Sequence, residues 1–90
     1  MGYEHQIRLP TSSPSDIDAI LRGIDGFEGY NPLFKQYSFR RAATGAMPDA
    51  HASIEPDGVY FCDNGCGSAL LLDIVRALEE QLGQVLIVEL

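Results

Sequence analysis

The segment from Val59 to Val88 constrains the fold more than any other part of the chain. Val59-Tyr60-Phe61-Cys62 is a β-type run, and Asp63-Asn64-Gly65-Cys66-Gly67-Ser68 is a glycine-rich turn. Ala69 to Leu82 then repeats with helical period, and Gly83 precedes the apolar run Val85-Leu86-Ile87-Val88. Strand, turn, helix and strand in this order carry a helix across a sheet, so the chain is a mixture of α and β. The spacing predicts a helix that buries Leu71, Ile74, Val75, Leu78 and Leu82, with Asp73, Arg76, Glu79 and Glu80 outside and Gly83 at its C-terminal cap.

Upstream, Tyr3 to Leu9 alternates strictly, which predicts a strand with Tyr3, His5, Ile7 and Leu9 on one face. Ser13 caps the following helix, Pro14 takes its first position and Asp16 sits near the positive end of its dipole. Ile17, Ile20, Leu21 and Ile24 form its buried stripe, and Gly23 or Gly26 stops it. Gly26 to Pro32 reads as a loop with two aromatics, and Leu33 to Arg41 as a strand with Leu33, Tyr37 and Phe39 on one side. Ala42 to Ala50 has no period and reads as a connection. Glu55-Pro56-Asp57-Gly58 suits a three-residue hairpin loop, which would set Ile54 opposite Tyr60, Ala52 opposite Cys62 and His51 opposite Asp63.

The predicted order is β-α-β-β-β-α-β. Its topology resembles the ferredoxin-like split βαβ arrangement with one additional central strand, and no family motif accompanies it. The resemblance implies an α+β fold of two layers, with a mostly antiparallel sheet of four to five strands and two helices on one face. Residues 1–90 make one domain, and a chain of this length holds one core. Val59 to Phe61 and Val85 to Val88 are apolar at successive positions, as if both faces of the sheet were covered. Two helices cover one face, so a second copy of the chain is expected on the other, giving a homodimer.

Thirteen acidic and six basic residues set a net charge of −7, which opposes nucleic acid and anionic membrane surfaces and favours a basic protein partner. Arginine supplies five of the six positive charges, and Lys35, Arg40 and Arg41 fall on one predicted strand. The longest apolar run, Val85 to Val88, is too short to cross a bilayer, and the N-terminal residues do not read as a signal peptide. A cytoplasmic domain with reduced cysteines is expected.

Chemistry is most plausible at the turn Asn64, Gly65, Cys66, Gly67 and Ser68, joined by His51 and Asp63 across the hairpin. Glycines let a ligand approach the backbone, and the helix start favours an anion or a thiolate at Cys66. The turn lacks the P-loop lysine and the full dinucleotide-binding pattern. Cys62 and Cys66 are separated by three residues with no second pair, so neither a metal nor a cofactor is expected. His5 is expected as a satisfied core or rim histidine. The leading expectation is a small acidic, non-enzymatic interaction domain that binds or inhibits a basic protein. The alternative is a thiol-dependent or anion-binding enzyme centred on Cys66.

Overall fold

The computed structural model describes residues 3–9, 14–41, 45–65 and 68–90. The elements are β1 (Tyr3–Arg8), α1 (Pro14–Arg22), β2 (Phe27–Asn31), β3 (Gln36–Phe39), β4 (Ala50–Glu55), β5 (Gly58–Asp63), α2 (Ser68–Leu82) and β6 (Leu86–Glu89). Among the described residues six strands form one sheet in the order β2-β3-β4-β5-β1-β6, with every neighbouring pair antiparallel. The fold is α+β. β5 and β6 run in the same direction on either side of β1, with α2 between them in the chain.

The sixth strand is a correction: Gly26 to Pro32 reads as a loop in the sequence, yet Phe27–Asn31 forms β2. Glu28, Gly29 and Asn31 have low strand propensity, and Phe27 and Tyr30 are three apart, a spacing that puts side chains on opposite faces of a regular strand. A bulge between Phe27 and Gly29 removes that conflict. It turns both rings to the helix side, where Phe27 pairs with Phe39 and Tyr30 with Tyr37. Ring centroids lie 6.0 Å apart in the first pair and 4.6 Å in the second. Cross-strand aromatic contact thus overrides weak local propensity.

Connectivity demands this strand. α1 carries the chain back toward the start of β1, so the next strand runs parallel to β1. β5 pairs antiparallel to β1, and the meander alternates direction from there, so only an even number of strands from β2 to β5 ends with β2 parallel to β1. A three-strand meander fails that condition.

The hairpin register also differs from the expected one. Glu55 pairs with Gly58, Ile54 with Val59, Ala52 with Phe61, His51 with Cys62 and Ala50 with Asp63, so the loop is the two residues Pro56 and Asp57. Burial decides it. This register sets Ala50, Ala52 and Ile54 on the same face as Val59 and Phe61, toward the helices, whereas a slip of one residue would turn one set outward. Gly58 has φ +145°, and a Cβ there would lie 2.0 Å from the carbonyl oxygen of Ile7, so β1 passes too close for any side chain.

Both helices pack on one face of the sheet. Ile17, Ile20 and Leu21 of α1 and Leu70, Ile74, Val75 and Leu78 of α2 are buried with Ile7, Tyr37, Phe39, Val59 and Phe61. Leu70 takes the buried place expected of Leu71, which is only partly buried, as is Leu82. His5 lies on this face opposite Phe61, and its Nδ1 is buried without a hydrogen-bond partner rather than satisfied. The other face is polar across its centre, carrying Gln6, Ser38, His51, Ser53, Tyr60 and Cys62. Its apolar side chains lie instead on β6. The expected strand 33–41 shrinks to β3. Leu33 is 80 % exposed and Phe34 70 %, in the turn between β2 and β3. Among the described residues no helix is long and apolar enough to cross a membrane.

Candidate functional site

Among the described residues, polar or exposed groups come together at the turn after β5 and at the tip of the β2–β3 hairpin. The first surrounds the turn singled out in the sequence. The side-chain amide of Asn64 donates to the Pro48 carbonyl at 2.9 Å and lies 3.1 Å from His51 Nδ1. With Nδ2 as donor to both, His51 Nδ1 accepts and the imidazole proton sits on Nε2. Asn64 Oδ1 in turn accepts from the Cys62 thiol at 3.7 Å. Burial holds the His51 pKa below its ordinary 6.5, opposed by the charge of Glu28. The amide therefore stands between thiol and imidazole, holding a neutral histidine beside a thiol that is itself a donor.

His51 and Cys62 share the polar face because they are directly opposite, against the expectation that Cys62 lies on the other side. Asp63 is the residue that faces away. It is buried beside Ala50, and its Oδ1 accepts from the Gly65 N–H at 2.7 Å. That amide is one that an anion at the turn would use, so a bound anion must displace the protein's own carboxylate. Asp49, 2 % exposed, accepts from the Arg41 N–H at 2.5 Å, and its carbonyl accepts from the Asn64 N–H. Cys66 and Gly67 lie outside the described residues, as does the side chain of Ser68. Among the described residues no group of three or more His, Cys, Asp or Glu stands close enough to hold a metal ion.

The second region is the tip of the β2–β3 hairpin with the cleft beside it. Asn31 Oδ1 accepts from the backbone N–H of Leu33 at 2.9 Å and of Phe34 at 3.4 Å, an Asx-type turn. Pro32 precedes the exposed pair, and Lys35 follows at φ +53°. The tip is thus ordered by its own backbone while it projects two large apolar side chains. The neighbouring cleft, about 580 Å³, is walled by Tyr30, Tyr37, Ile54 and Pro56 and carries Asp18 and Glu55.

Tyr37 donates its hydroxyl to Asp18, which also accepts from Arg22 at 3.0 Å. These bonds, the tyrosine's first, hold the Asp18 carboxyl below its ordinary range, while burial and then Asp18 push the Tyr37 hydroxyl well up. The Arg22 guanidinium lies 5.3 Å from the Tyr30 ring centroid, so the cleft wall is an aromatic and ionic lattice.

No protein-family model matches the chain, and neither curated proteins nor solved structures give a significant match to it.

Alternation in the sequence sets Leu33 on one face with Tyr37 and Phe39, which hides the tip. Asn31-Pro32 was the available signal, a dipeptide that favours turns. The expected basic strand also dissolves. Arg40 pairs with Glu28 at 2.5 Å and donates to the Gly45 carbonyl, while Arg41 pairs with Asp73 at 2.7 Å.

Proposed function

We propose that this protein is a non-enzymatic interaction domain that grips a basic protein partner with its β2–β3 hairpin tip and thereby binds or inhibits it. The observation that carries the reading is the tip itself. Leu33 and Phe34 are 80 % and 70 % exposed on a turn whose backbone is already ordered, so docking them costs little conformational entropy. Charge supports it. The chain carries −7, and Arg22, Arg40 and Arg41 face the protein's own carboxylates, which leaves a net acidic molecule to attract a basic surface, although the tip itself carries Lys35. In the adjoining cleft, which Lys35 also lines, Asp18 is already paired with Arg22 and Glu55 is the carboxylate that suits a lysine or arginine of that partner.

Capture from the source cells with wild-type and Phe34→Ser baits tests the reading. Phe34→Ser should leave the fold within about 0.5 kcal/mol of wild type, because the side chain is exposed. Basic proteins held by the wild type, released by salt and lost at least about tenfold with Phe34→Ser are expected, as for an interface anchor. Equal retention by both baits, or binding that salt leaves unchanged, overturns it.

A further inference from the structure

We propose that two copies of the chain pair through the outer edges of β6, joining their sheets into one. This goes beyond the tip, which stays on the far side of the molecule, at the β2 end of the sheet.

The backbone gives the geometry. Leu90 N–H donates to Glu4 O at 2.9 Å, and β6 pairs with β1 in unbroken antiparallel register, Gln6 with Val88 and Arg8 with Leu86. In an antiparallel ladder the hydrogen-bonded pairs alternate, so Leu86, Val88 and Leu90 face inward to β1. The N–H and C=O groups of Ile87 and Glu89 therefore point to the outer edge, where the sheet ends. That edge is short and carries Glu89, but the other usual protections are missing. The strand Leu-Ile-Val-Glu has no bulge, no proline and no lysine, and Leu86, Ile87 and Leu90 are 59 %, 43 % and 63 % exposed.

A second copy of the chain fits this edge. A two-fold axis perpendicular to the sheet through Ile87 places Ile87 against its own copy and Leu86 against Val88, so apolar side chains meet on both faces. It also pairs the outward groups of Ile87 with those of its twin. Glu89, the one charge on β6, then stands opposite Val85 rather than another Glu89. The other edge, β2, carries a bulge and charged Glu28, so each copy offers one adhesive edge and pairing closes at two. The strip is small beside the ~800 Å² per partner of a standard interface, so the dimer should be weak, near micromolar.

Sedimentation equilibrium of the full chain from about 1 to 500 μM tests this, since that range brackets the affinities of small interfaces. The expected result is a reversible dimer that strengthens with salt, because both copies are acidic. Binding to a basic partner weakens with salt, so the two associations are told apart by sign. Glu89→Pro removes an outward N–H without touching the β1 ladder, and Leu86→Lys places a charge on the strip. Each should weaken the dimer at least about tenfold, whereas Phe34→Ser should leave it unchanged. If either variant loses its circular-dichroism spectrum, hydrogen exchange of the wild type decides instead. The amides of Ile87 and Glu89 should gain protection as concentration rises. A monomer throughout, a dimer indifferent to both β6 variants, or exchange at these amides that ignores concentration overturns the proposal.

Discussion

At one end of the sheet β2 carries a bulge, a glycine and the Glu28–Arg40 ion pair, and it is held to β3 by two pairs of aromatic rings. At the other end β6 pairs with β1 in regular register through the backbone and leaves Leu86 and Ile87 largely exposed. Side-chain packing secures the first edge, and its irregularity keeps other strands away. Backbone hydrogen bonding secures the second, and its regularity is what another strand needs. The two proposals follow this difference, a projecting hairpin tip at the β2 end and strand addition at β6.

The largest effect is expected at the seam between the two halves. Gly58 joins the β2–β5 meander to β1, and a Cβ there would meet the Ile7 carbonyl oxygen, a backbone atom that cannot swing away, at 2.0 Å. Gly58→Ala should cost on the order of 4 kcal/mol or more, a large share of the stability of a domain this size. A loss under about 1 kcal/mol in urea unfolding would mean that β1 yields, and that the halves are less rigidly joined than they look.

The comparison itself breaks or holds on a pair of alanine variants. Phe39, fully buried against Phe27, should cost about 3–5 kcal/mol when truncated. Leu86, on the backbone-held edge, should cost no more than about 0.5 kcal/mol in the monomer. Similar losses from the two would erase the distinction between the edges.

The smallest effect is a dependence on pH confined to the meander half. His51 on β4 is opposite Ser38 and Cys62, bonds Asn64 and feels Glu28, and burial lowers its pKa below 6.5. The folded state therefore takes up its proton at lower pH than the unfolded chain does. Stability from this group is complete above pH about 6.5, declines as pH falls toward the depressed value, and is flat below it. Protonation also turns Nδ1 into a donor facing the Asn64 amide, so the bond between them is lost. Nuclear magnetic resonance should show His51 titrating below 6.5, with faster amide exchange in β3 and β4 than in β1 and β6. A midpoint at or above 6.5 would show that Glu28, not burial, controls the ring.

Much of the candidate site was hidden for one reason: neighbouring strands decide where a side chain points. His51 and Asp63 were legible as hairpin residues close in space. Only the core demand of Val59 and Phe61 chose the register that pairs His51 with Cys62 and turns Asp63 inward. Asn64 appeared as a turn residue in the sequence, and nothing there marked its amide as the link between thiol and imidazole. The tip residues Leu33 and Phe34 continued an alternation that stops at Gln36, because four turn residues intervene between β2 and β3.

The sequence by itself determined both helices, the strands β1, β4, β5 and β6, the α+β class and the acidic charge. Helical period, strict alternation and a proline–glycine turn are short-range signals that need no partner to be read. Tertiary structure decided β2, the hairpin register and the polar character of the open face. Each depends on a strand distant in sequence: Phe27 and Tyr30 have no reason to share a face until β3 presents Phe39 and Tyr37 to them. Gly58 has no need to be glycine until the Ile7 carbonyl arrives. The apolar run at β6 predicts coverage, but whether face or edge remains open to a partner follows from its place at the end of the sheet.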